Sequence, residues 1–330
     1  MQHSLNPLLP SAVAVLLLSG CAGAHADGPS TAAPATSGGG AAATIDNCGF
    51  EVELGKAPER ILAIKSTSLE MLLALGLHDR IVGSAFLDGP VPAEWEDRAS
   101  DVPLLAEQVP SQETVLEAEP DFVFAGWESN LTADGAGERA TLREFGIRTY
   151  VAPSACRTEG YVPDPMTFDL LFDEILQAGE VFGAADAAKQ LVAEQRTTLE
   201  SLVPSSDGLT ALWYSSGTDT PYVGAGSGAP QMVLDAVGLE NIAAGADGAW
   251  TSYSWEAIVD ANPDVIVLVD AAWNSADMKI AMLKSDPVTA ALPAVQQDRF
   301  LIVPFPASEA GVRTVDATAD LIQQLETLGR

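Results

Sequence analysis

Apolar and polar positions follow two rhythms along this chain. Between Arg60 and Val151, short apolar runs alternate with stretches of helical spacing. Arg60–Ile64, Ile81–Phe86, Asp121–Ala125 and Ile147–Val151 read as strands. Ser68–Leu75 has the spacing of a helix, and Gly76 supplies its stop. Strands alternating with helices predict a parallel sheet covered by helices. From Thr167 to Leu202 the pattern is helical, with one interruption at Gly179–Gly183. Ala184–Leu202 contains neither Gly nor Pro and predicts one long straight helix. The strand rhythm then resumes at Leu209–Tyr214, Val265–Val269 and Phe300–Val303.

One segment recurs. Ser111–Phe124 (SQETVLEAEPDFVF) and Ser254–Val267 (SWEAIVDANPDVIV) share Ser, Glu, an aliphatic pair, Ala, Pro-Asp and a final apolar run in register. The repeat predicts two similar lobes. In each copy the serine can cap a helix, and Glu113 or Glu256 then falls in the first turn, where the helix dipole favours a carboxylate.

The N-terminus departs from this pattern. Pro10–Gly20 is apolar but about half the length needed to cross a bilayer, which suits the core of a signal peptide. It ends in Leu-Ser-Gly-Cys21, which resembles the lipobox of bacterial lipoproteins, although no Lys or Arg precedes it. Cys21 is the expected lipidation site. Ala22–Ala43 is rich in Ala, Gly, Pro, Ser and Thr and reads as a disordered tether.

The chain carries 46 acidic and 16 basic residues, a formal charge of −30, which excludes a nucleic-acid partner. With Cys21 lipidated, Cys48 and Cys156 remain. In an oxidising compartment they predict one disulfide, the alternative being two separate buried thiols. Only His78 lies beyond the tether, in a turn, so a Ser-His-Asp triad and a metal centre are both disfavoured. A hydrolase using Ser66 or Ser215 would lack a base. No catalytic residue, metal or cofactor is expected.

Pro58–Ile61, Glu70–Gly76, Asp79–Gly83 and the two Glu…Pro-Asp segments, in this order with the long middle helix, resemble the cobalamin and ferric-siderophore class of solute-binding proteins of ABC importers. The resemblance runs from about Phe50 to the C-terminus. It implies an α/β fold of two Rossmann-like lobes, each a parallel sheet flanked by helices, joined by a long helix, with the ligand cleft between them. The implied parts are a signal peptide (1–20), a lipidated tether (21–46), an N-terminal lobe (47–183), a linking helix (184–203) and a C-terminal lobe (204–330). It further implies a monomer on the outer face of the membrane that delivers a small molecule to a permease and its ATPase. By position, Glu113 and Glu256 would dock into arginine pockets of that permease. Asn47–Phe50, Lys65–Ser68, Ala125–Asn130, Tyr214–Gly217, Tyr222–Gly226 and Phe305–Arg313 resemble an actinobacterial subgroup proposed to import the deazaflavin precursor of coenzyme F-420.

Ligands of open α/β sheets sit beyond the C-terminal ends of the strands. That rule nominates Lys65, Ser66, Trp127 and Glu128 in the first lobe. In the second it nominates Tyr214, Ser215, Trp273, Asn274, Glu309 and Arg313, with Tyr222, Trp250 and Tyr253 in nearby loops. The aromatic residues suit a planar conjugated ligand. Lys65 and Arg313 would offset its negative charge, unless each is consumed by an ion pair within its lobe. Trp255 is expected in the core, and Gly224–Gly228 lacks the order of a phosphate-binding loop. A ferric hydroxamate and then cobalamin are the next expected ligands.

Overall fold

The computed structural model describes residues 43–329. The expected signal peptide, Cys21 and the expected tether as far as residue 42 lie outside the described residues. The tether expected to reach residue 46 ends sooner, because strand β1 (Ala43–Asn47) pairs antiparallel with β2 (Phe50–Leu54). Three arginines hold this hairpin. Arg139 donates to the Asn47 carbonyl and side chain, Arg143 to the Glu51 carbonyl, and Arg148 to the Glu53 and Lys56 carbonyls.

The first sheet contains β3 (Ile61–Ile64), β4 (Ile81–Ala85), β5 (Leu104–Ala106), β6 (Phe122–Ala125) and β7 (Arg148–Val151). Its order is β5-β4-β3-β6-β7 and all its pairings are parallel. β3 and β6 are buried along their whole length, as expected when helices cover both faces. The second sheet contains β8 (Thr210–Ser216), β9 (Tyr222–Gly224), β10 (Glu240–Asn241), β11 (Trp250–Ser252), β12 (Val265–Asp270) and β13 (Phe300–Pro304). β8, β12 and β13 are parallel, while β9 and β11 form an antiparallel edge.

The middle of the chain is a helical hairpin. Thr167 caps the helix Phe168–Phe182 through the Leu170 amide, and Gly183 ends it in the left-handed conformation that glycine tolerates. The helix Ala185–Ser201 then runs back along it, with Arg196 2.8 Å from Asp169. A Cβ at Gly179 would lie 2.4 Å from that of Ala188, so this glycine permits the close crossing. The second helix is 17 residues long, about 26 Å, and leads from the first sheet into the second. Gln195 fixes its far half by donating to the Val312 carbonyl at 2.6 Å. One buried apolar cluster extends from Phe122, Phe124 and Phe182 through Val192 to Met232, Val312 and Val315, so the lobes share part of their core.

The repeated segments fold alike. Ser111 caps the helix Gln112–Glu117 and Ser254 caps Trp255–Ala261, each by accepting from the third amide on. Glu113 and Glu256 are exposed in the two first turns. Cys48 and Cys156 are joined as a disulfide across 108 residues. Among the described residues no helix is long and apolar enough to cross a membrane.

Candidate functional site

The C-terminal ends of both parallel sheets open on a cavity of about 480 Å³ between the lobes. Gly126 and Trp127 reach it beyond β6, and Ser154–Arg157 beyond β7. From the other lobe come Ser215 and Ser216 at the end of β8, Trp273 after β12, and Phe305 and Glu309 after β13. The volume suits a drug-sized molecule.

Aromatic rings dominate the walls. Tyr222 and Trp250 stand on the paired edge strands β9 and β11, with centroids 6.1 Å apart and planes 12° from parallel. The two rings form an aromatic stack on the cavity wall. Trp127 and Trp273 each pack edge-on against Phe305, at 6.4 and 5.7 Å. Trp273 is 53% exposed and Tyr222 42%, so both present uncovered ring surface.

Of the expected ligand contacts, Trp127, Ser215, Tyr222, Trp250, Trp273 and Glu309 line this cavity. The others are occupied elsewhere. Lys65 is wholly buried. Its ammonium pairs with Asp88 and is ringed by Trp127, Phe305 and Phe86 at 3.8, 4.6 and 4.7 Å from their centroids. Ser66 accepts from the Asp88 amide at 2.8 Å. Arg313 lies 3.2 Å from Glu70 of the opposite lobe, so its pair bridges the lobes rather than staying within one. Glu128 accepts from the Arg157 and Thr158 amides and the Thr158 hydroxyl, which fixes the loop after Cys156. Tyr214 is buried and donates to the Gly217 carbonyl at 2.8 Å. Tyr253 packs with the second-lobe core beside Ile242, and the Asn274 carbonyl accepts from Lys279. Gly226 and Gly228 lie against the backbone of Ala244 and Ala249, where a Cβ would be 2.0 and 2.5 Å away from the nearest atoms. That packing accounts for the glycine-rich loop. Trp255 packs on Tyr214 with centroids 5.5 Å apart, against the second-lobe core as expected.

Apart from Glu309 and Arg157, the charges near the cleft therefore lie behind its wall. Burial pushes Glu70 and Glu309 up to about 7 and also raises Asp88, against the opposing pull of Arg313 on Glu70 and of Lys65 on Asp88 and Glu309. Arg157 is the only basic side chain among the lining residues, and it is exposed at the rim. The sequence reading passed over Arg157. Its signal was adjacency to Cys156, whose disulfide holds the cavity wall. Asp88 was also passed over, because a lone aspartate in a loop gives no sign of the buried lysine it meets. Among the described residues no cluster of three His, Cys, Asp or Glu has the arrangement of a metal site.

The comparisons agree with this architecture. The sequence profile of a family described as periplasmic binding protein matches residues 61–307. An uncharacterized ABC transporter substrate-binding lipoprotein of Bacillus subtilis is 27% identical over 235 residues, 69% of each chain. A cobalamin-binding protein of Halobacterium salinarum is 26% identical over 231 residues, covering 66% of this chain and 55% of the relative. Among solved structures, one described as an ABC-type Fe3+-hydroxamate transport system from Saccharomonospora viridis superposes with a TM-score of 0.73. It is 25% identical and covers 87% of this chain and 98% of its own. A periplasmic binding protein from Veillonella parvula gives a TM-score of 0.74 at 24% identity, over 87% of this chain and 98% of its own. With its two-lobed α/β fold and interlobe cavity, this chain belongs to the periplasmic binding protein family and is a solute-binding protein, not an enzyme.

Proposed function

We propose that the cavity captures a planar, conjugated small molecule whose negative charge, if any, is confined to one end, for import through a cognate permease. The observation that carries this reading is the wall of Tyr222, Trp250, Trp127, Trp273 and Phe305, with Lys65 and Arg313 already neutralised by Asp88 and Glu70. Aromatic faces favour stacked rings. A ligand with several negative charges would be desolvated against one rim arginine and a buried acid. The deazaflavin precursor of coenzyme F-420 fits through its flat ring, with its acidic arm directed to Arg157 at the rim. A ferric hydroxamate is the second reading. The scarcity of free cations in the cleft favours a neutral chelate, and the 25%-identical solved structure carries that description. Tryptophan-fluorescence titration with the deazaflavin precursor, a ferric hydroxamate and cobalamin separates them. Micromolar or tighter binding, about −8 kcal/mol or better, is expected for the first. Saturable binding of the hydroxamate with no response to the deazaflavin would replace the first reading by the second.

Delivery to the permease rests on Glu113 and Glu256. Their support is the repeated Ser-capped helix start that exposes one carboxylate on each lobe. Anchoring through a lipid on Cys21 completes the proposal and rests on the sequence.

A further inference from the structure

Thr67, Gly126, Trp127 and Glu309 line one end of the cavity, with Gly126 against Thr67 and Trp127 bonded to Glu309. Glu309 Oε1 accepts from the Trp127 indole N–H at 2.6 Å. Its second oxygen, Oε2, is buried and has no hydrogen-bond partner in the protein. The nearest cation, Lys65, is committed to Asp88. Gly126 lets the backbone before Trp127 press onto the start of the helix Ser66–Ala74, since a Cβ there would lie 2.6 Å from Thr67 Oγ1. Thr67, the indole and the carboxyl group thus meet at one place. A buried acceptor without a donor costs free energy, which a ligand donor would recover.

We infer that Glu309 determines specificity by accepting a hydrogen bond from an imide N–H, amide N–H or hydroxyl at the buried edge of the ligand, and that an anionic group is rejected at this end. The inference rests on the flat-ligand reading above and orients that ligand: donor edge inward against Glu309, any acidic arm outward towards Arg157. Burial holds the Glu309 carboxyl up to about 7, so near neutral pH it meets a neutral donor without the cost of a fully charged partner.

Glu309→Gln inverts this pattern with almost no change of shape. The amide oxygen keeps the Trp127 bond, and the amide NH2 then stands where Oε2 stood. The test uses the full chain and two probes: the deazaflavin nucleoside with its free imide N–H, and the same molecule methylated on the imide nitrogen. At pH 8, wild-type protein is expected to bind the free imide about 10-fold or more tightly than the methylated probe. In Glu309→Gln, binding of the free imide should fall by about 10-fold and the gap between probes should shrink below about 3-fold, with no loss of thermal stability. A residue that merely held Trp127 in place would alter both probes alike. Equal affinities in the wild type, or an unchanged methylation penalty in Glu309→Gln, would overturn the assignment and leave the flat-ligand reading standing. Binding of neither probe would overturn both.

Discussion

Trp127 of the first lobe donates its indole N–H to Glu309 of the second across 2.6 Å, and both side chains face the cavity. The ring that offers its face to a ligand is thereby also a tie between the lobes. Trp127→Phe keeps a ring but removes the donor, leaving both Glu309 oxygens without a partner. Denaturant unfolding should show a loss of about 1–3 kcal/mol. Unchanged stability would mean that the bond contributes nothing to holding the lobes together.

Lys65 and Asp88 form a buried pair, so removing one member should cost far more than removing both. Lys65→Met strands Asp88 away from water and should destabilise by about 3–5 kcal/mol, whereas Lys65→Met with Asp88→Leu should recover most of that loss. The check is a double-mutant cycle in urea. Additive losses would show that the pair is not coupled.

How much of this was legible beforehand depends on the range of each signal. The parallel strands β3, β4, β6, β7, β8, β12 and β13 were readable because each is a continuous apolar run next to helical spacing. The short strands β5, β9, β10 and β11 have two or three residues, too few to show a period. The strand-end rule brought Trp127, Ser215, Trp273 and Glu309 to the cavity. It failed for Lys65 and Arg313, because position along a strand says nothing of which acid arrives from elsewhere. Asp88 is 23 residues from Lys65, and Glu70 is 243 from Arg313. Only the folded chain shows that both cations are already neutralised.

Stability should fall as pH rises from about 4.5 to about 7. Burial raises Glu70, Glu174 and Glu309 from an ordinary 4.5 to about 7. In that window the folded chain holds protons that the unfolded chain has released, so each added pH unit favours unfolding. Self-repulsion in a chain of formal charge −30 acts in the same direction. The thermal midpoint at pH 5.5 should therefore exceed that at pH 8 by several degrees. Calorimetry across this range checks it, and a midpoint that rises towards pH 8 would contradict the raised acids.

Glu113 and Glu256 are exposed and do not line the cavity, so their loss should separate binding from transport. Glu113→Ala with Glu256→Ala should leave ligand affinity within about 2-fold and abolish uptake in cells that carry the cognate permease. Helix capping by Ser111 and Ser254 persists in this variant, so stability should change by less than about 1 kcal/mol. Normal uptake would remove the docking role.

The central claim is that a conjugated ligand rests on the aromatic platform between the lobes. Native mass spectrometry, with absorption spectroscopy of the released molecule, tests it on protein isolated from the organism that encodes it. One small molecule per chain is predicted, with the near-ultraviolet or visible band of a conjugated ring system. Tyr222→Ala with Trp250→Ala should fold normally and lose that molecule. A saturated, non-absorbing ligand, or full occupancy retained by the double variant, would contradict the account.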